Sequence, residues 1–140
     1  GATWTIDSGS VTPAKLSTGA PSWDSNGVLS FNSGYGSSVA AYGCRAWVNF
    51  DGTASGATIR ASGNVSSVTD SAVGIYIVNF VTAMPDANYS AVLGSGSGAA
   101  AGGYINLSQG AMAAGSFYIN SRNTTPTNTD YLYICAAVFR

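Results

Sequence analysis

Glutamate and histidine are both absent from these 140 residues, and charge of either sign is scarce, with five Lys or Arg against six Asp and a net charge of −1. Charged residues make up 8% of the chain, where about 25% is usual for a soluble domain. Without histidine the chain itself cannot build a Ser-His-Asp triad, a Cys-His nucleophile pair or a HExxH zinc site. Five scattered cations also exclude a phosphate-tracking surface, so nucleic acid is not an expected partner. Asn79 and Asp86 interrupt the most apolar region, no run approaches the length of a spanning helix, and no membrane insertion is expected. The sequence does not open on a basic segment followed by an apolar one, the pattern of a secretory leader. Two cysteines, Cys44 and Cys135, are too few for a disulfide scaffold. Each sits in an apolar strand pattern, which predicts two buried free thiols, with a disulfide as the alternative.

What is present is neutral and polar. Ser (20), Thr (12), Asn (10) and Gly (18) fill 60 of the positions, so hydroxyls and amides must wet the surface where Lys and Glu normally would. The length suits one domain with a substantial core. Period-2 segments rich in Val, Ile, Tyr and Phe recur at 41–50, 57–62, 65–69, 74–82, 87–94, 103–108, 115–121 and 130–139. Turn-forming groups separate them: Asp51-Gly52, Ser62-Gly63-Asn64, Asp70-Ser71, Met84-Pro85-Asp86 and Thr125-Pro126-Thr127. This pattern predicts an all-β fold, an antiparallel β-sandwich or jelly-roll-like knob, over residues 33–140. Residues 1–32 lack sustained alternation and read as a connector, with a short helix start at Thr12-Pro13-Ala14-Lys15-Leu16. Ser33 to Ser38 reads as a hinge between the two.

Two strands are apolar on both faces. Ile75, Ile77 and Val81 oppose Tyr76, Val78 and Phe80, while Tyr131, Tyr133, Cys135, Ala137 and Phe139 oppose Leu132, Ile134, Ala136 and Val138. One face suits the core; the second predicts either a subunit interface or cover from loops of the same chain.

The 35 residues between Asp86 and Arg122 carry no charge. They include the Gly/Ala/Ser stretch 94–103, read as a flexible loop because it has no nucleotide-binding spacing and no Lys. Beside it, Tyr104, Asn106 and Ser108 alternate with Ile105 and Leu107, and Ser116, Tyr118, Asn120 and Arg122 alternate with Phe117 and Ile119. Flat rings and short amides on one face suit recognition of sugars or adaptable protein surfaces. The candidate receptor-binding residues are therefore Tyr104, Asn106, Tyr118, Asn120, Arg122 and Asn123; the plainer reading is a solvated outer face.

Enzymatic chemistry has few candidates. A glycosidase needs two carboxylates at a fixed separation, and Asp51, Asp70, Asp86 and Asp130 all read as turn residues. No carboxylate cluster points to a metal, and no cofactor is expected. Four Asn-x-Ser/Thr sequons, at Asn64, Asn88, Asn106 and Asn123, arise readily in so Ser- and Thr-rich a sequence.

The blocks Thr12-Pro-Ala-Lys-Leu-Ser-Thr-Gly-Ala-Pro-Ser-Trp-Asp24, Tyr42-Gly-Cys-Arg-Ala-Trp-Val-Asn-Phe-Asp-Gly-Thr53, Ile59-Arg-Ala-Ser-Gly-Asn-Val-Ser-Ser-Val-Thr-Asp70, Phe80-Val-Thr-Ala-Met-Pro-Asp-Ala-Asn-Tyr89 and the ending Cys135-Ala-Ala-Val-Phe-Arg140 stand out as a set. Together they resemble the C-terminal region of tail-fibre proteins of tailed bacteriophages. The resemblance implies a homotrimeric fibre on the virion whose distal knob adheres to a host glycan or surface protein, with the connector joining shaft to knob. It implies a binding module and no enzyme. A polysaccharide-cleaving tailspike using Asp carboxylates and a purely structural collar are the alternatives. Segment 94–129 departs most from the family pattern, and a fibre that changes hosts is expected to vary the residues that touch receptor.

Overall fold

The computed structural model describes residues 21–32, 36–97, 103–108 and 112–140. The expected helix start at Thr12 to Leu16, the first half of the hinge (33–35) and the centre of the stretch 94–103 lie outside the described residues. The fold is all-β, and every strand pairing is antiparallel. Contacts divide the chain into two units, Gly1–Tyr42 and Gly43–Arg140.

In the first unit, β1 (Ser22–Trp23), β2 (Leu29–Phe31) and β3 (Val39–Ala40) form a three-stranded sheet. These short strands were not foreseen, since two or three residues carry no readable alternation. At the turn Asn26-Gly27 the Asp24 carboxylate accepts the Asn26 and Val28 amides at 2.9 and 2.8 Å, and Gly27 takes φ +77°.

The second unit holds the eight strands that the periodicity predicts, as two four-stranded sheets packed face to face. One has the order β5-β4-β11-β8, from β4 (Cys44–Asp51), β5 (Thr58–Gly63), β8 (Ser90–Gly96) and β11 (Tyr133–Phe139). The other has the order β6-β7-β10-β9, from β6 (Val65–Ala72), β7 (Ile75–Phe80), β9 (Gly103–Leu107) and β10 (Ser116–Asn123). Three hairpins, β4-β5, β6-β7 and β9-β10, supply neighbouring pairs, while β11 closes its sheet between β4 and β8.

The core lies between the sheets. Ala46, Val48, Phe50, Ile134, Ala136 and Val138 face Val65, Val68, Tyr76, Val78, Phe80, Phe117 and Ile119, all buried. Val65 and Val68 both point inward although three positions apart, because a bulge between Val65 and Ser67 adds a residue to β6. Phe80, Phe117 and Tyr89 pack edge-on or tilted at 5.7 to 6.3 Å between centroids, and Phe50 meets Tyr76 edge-on at 5.1 Å.

Four expectations need correction. Cys44 is exposed and Cys135 half-buried, and both are free thiols. Cys44 shares the inward parity of Ala46 but sits at the strand end, beyond the core, and Cys135 has the outward parity of β11. Gly94, Gly96 and Gly103, read as part of a loop, belong to strands: Gly94 and Gly96 pair with Cys135 and Tyr133, and Gly103 begins β9. Tyr131 is buried, because β11 starts only at Tyr133 and the preceding backbone does not follow its alternation. Asp70 lies within β6 rather than in a turn.

Candidate functional site

Phe117 and Ile119 enter the core, so period 2 sends Tyr118, Asn120 and Arg122 to the outer face of their sheet. The β9-β10 register sets Arg122 opposite Tyr104 and Asn120 opposite Asn106. Ser108 follows, its amide donating to the Tyr118 carbonyl at 3.1 Å. The residues foreseen on this face therefore stand in adjacent rows. Tyr104 is 56% exposed, Asn106 and Arg122 are exposed and Tyr118 is half-buried. Asn106, Leu107, Ser108, Asn120 and Arg122 line a depression of about 250 Å³.

The segment after β10 returns over this face. Asn123 Oδ1 accepts the Thr125 and Thr127 amides, each at 3.0 Å, and the Thr125 hydroxyl at 2.9 Å. That closed turn delivers Asn128, whose Oδ1 accepts from Asn120 Nδ2 and from Arg122 Nε, both at 3.1 Å. Asn120 Nδ2 also donates to the Gly74 carbonyl at 3.0 Å, and Asn120 is only 4% exposed. Asn120 and Asn123 thus shape the surface, while Tyr104, Asn106, Ser108 and Arg122 present it.

Gly74 is the joint of this support. Its φ is +67°, and a Cβ there would strike the Ser121 carbonyl and the Thr129 amide. Its amide donates to Asp130 Oδ1 at 2.7 Å, and the same oxygen accepts the buried Tyr76 hydroxyl at 2.5 Å. Burial first, and then the Asp130 carboxylate, push the Tyr76 phenol well above its ordinary range.

Asp51 and Asp86 are held separately. Asp51 accepts the Thr53 hydroxyl at 2.6 Å and its amide at 2.9 Å, and pairs with Arg60 at 2.7 Å. Asp86 accepts the Asn88 amide at 2.7 Å and pairs with Arg140 at 2.6 Å. The Thr53 hydroxyl chiefly lowers the Asp51 pKa, and the Asn88 amide that of Asp86. Among the described residues no cluster of three metal-ligating side chains occurs, and no helix is long and apolar enough to cross a membrane.

The outer face of the β5-β4-β11-β8 sheet has a groove of about 460 Å³, lined by Trp47, Asn49, Val92, Gly94, Cys135 and Ala137 among others. Asn49 Nδ2 donates to Cys135 Sγ at 3.1 Å. Arg60 stacks over the Tyr133 ring, 4.7 Å from its centroid. The double-sided apolarity of 131–139 announced this face, whereas Trp47 was missed; its place between Ala46 and Val48, which alternation sends to the opposite side, is the signal that could have found it.

No family model matches the sequence, and no curated protein matches it. Among solved structures, the phiAB6 tailspike, crystallised with three-repeated oligosaccharides of Acinetobacter baumannii surface polysaccharide, is similar at a TM-score of 0.54 and 18% identity. The likeness is one of fold. It covers 99% of this chain and 30% of the tailspike chain.

Proposed function

We propose that this chain is a receptor-binding part of a phage tail, adhering to a host surface polysaccharide through the outer face of β9 and β10. The carrying observation is a Tyr-Asn-Ser surface with one arginine, set in adjacent rows around a depression, on a fold similar to that of a tailspike crystallised with oligosaccharides of a bacterial surface polysaccharide. Exposed rings beside short amides make a recognition surface of low conformational entropy. Single contacts of this kind are weak, so a trimer at the tip of a fibre, presenting three copies, gains strength through avidity. In this reading residues 1–32 connect the knob to the shaft.

Binding without cleavage is the favoured form. Asp51 and Asp86 are each paired with an arginine, and Asp130 is tied to Tyr76 and Gly74. A glycosidase needs one carboxyl held protonated as general acid, and the lowered Asp51 and Asp86 pKa values run the other way. The test is to label a panel of bacterial strains with the fluorescent chain and to incubate it with polysaccharide from each labelled strain. Labelling without new reducing ends is expected. Release of reducing ends would make the chain a tailspike-type enzyme, and failure to label any strain would leave the structural collar.

A further inference from the structure

Among the described residues four cations can be compared. Arg60 is committed to Asp51, to the Leu132 carbonyl at 2.7 Å and to the Tyr133 ring. Arg140 is paired with Asp86. Arg45 and Arg122 face no carboxylate among the described residues, and Arg122 lines the depression on the β9-β10 face. Arg122 is also held in a particular way. Its Nε donates to Asn128 Oδ1 at 3.1 Å, which fixes the guanidinium plane, while its two terminal nitrogens have no partner among the described residues. Asn128 is itself fixed from the other side by Asn120.

A guanidinium anchored through Nε and open at both terminal nitrogens is prepared for two parallel hydrogen bonds to one carboxylate. The neighbouring groups, Asn106, Ser108 and the exposed Tyr104 ring, suit the hydroxyls and ring face of a sugar. Resting on the receptor reading above, we infer that the β9-β10 face takes an acidic glycan, with the carboxylate of a uronic or nonulosonic acid residue seated on Arg122. Arg122 is a source of attraction for an anion at this face, so binding weakens as salt rises.

The experiment uses the full chain and immobilised bacterial polysaccharides of known composition: uronate- or nonulosonate-bearing polymers, the same polymers with their carboxyl groups reduced to alcohols, neutral polymers, and phosphodiester-linked polymers free of such acids. Retention on at least one acidic polymer is expected, with a loss of about tenfold to a hundredfold on its carboxyl-reduced form. Arg122→Gln should reproduce that loss on the native polymer, and Arg122→Lys, which keeps the charge without the fork, should fall between, both with unchanged melting temperature. Equal binding to native and reduced forms would overturn the inference while leaving a glycan receptor in place. Preference for the phosphodiester polymers would replace carboxylate by phosphate and overturn it too. Strain labelling with no retention on any polymer would overturn it in favour of a protein receptor, and absence of both would remove the receptor reading itself.

Discussion

The outer face of the β5-β4-β11-β8 sheet carries Trp47, Val92, Cys135, Ala137 and Tyr133, whereas the β9-β10 part of the opposite face carries Tyr104, Asn106, Tyr118 and Arg122. Each face sets an arginine beside a tyrosine. Arg60 is held by a carboxylate, a carbonyl and the Tyr133 ring, so its bonding capacity is used within the chain. Arg122, opposite Tyr104, is held at Nε alone. The same pair of residue types therefore closes one surface and opens the other. The difference comes from the neighbours supplied by the adjoining strands and loops: Asp51 at the end of β4 in one case, the neutral Asn128 in the other.

The largest expected effect removes the ground both faces share. Phe117 is fully buried between the sheets, and Phe117→Ala should cost about 3 to 5 kcal/mol in urea unfolding, taking both surfaces with it. An effect below about 1 kcal/mol would mean that the sheets do not pack as described.

A smaller effect separates the faces. The Tyr76 hydroxyl bonds Asp130, Asp130 bonds the Gly74 amide, and the Gly74 carbonyl takes Asn120. Tyr76→Phe should cost about 1 to 3 kcal/mol and raise hydrogen exchange along β10 more than along β4. It should also change the alkaline response. The unfolded chain ionises this phenol near the ordinary value of about 10, whereas the folded protein keeps the proton to higher pH. The stability this confers is complete below about pH 10 and is lost as pH rises above it. Wild type should therefore lose stability faster than Tyr76→Phe through pH 10 to 11, as read by urea midpoints; parallel curves would contradict the clasp.

The smallest effect concerns the thiols. Exposed Cys44 should react with a thiol reagent well before half-buried Cys135, and Cys44→Ser should change stability by no more than about 0.5 kcal/mol.

The eight strands after Tyr42 were legible because alternation is strong where a sheet has one buried side, whereas the choice of Tyr76, Val78 and Phe80 over Ile75 and Ile77 as the core face was not, since both sets are apolar. The three strands before Tyr42 are too short to show a period. Cys44 and Tyr131 were misplaced because alternation stops describing burial where a strand overruns the core or has not yet begun. Tyr104, Asn106, Tyr118 and Arg122 were found on one face from spacing alone. The supporting role of Asn120 and Asn123 was not legible, since it depends on Gly74 and Asn128, which the chain brings back across the sheet.

The most direct test of the central claim compares two variants on a strain that the wild-type chain labels. Tyr104→Ala with Arg122→Ala alters the exposed β9-β10 face, and Trp47→Ala alters the groove on the opposite sheet. The account predicts that the first abolishes labelling with its melting temperature within a few degrees of wild type, while the second labels normally. Labelling that survives the first variant and disappears with the second would place the receptor contact on the Trp47 face and contradict it.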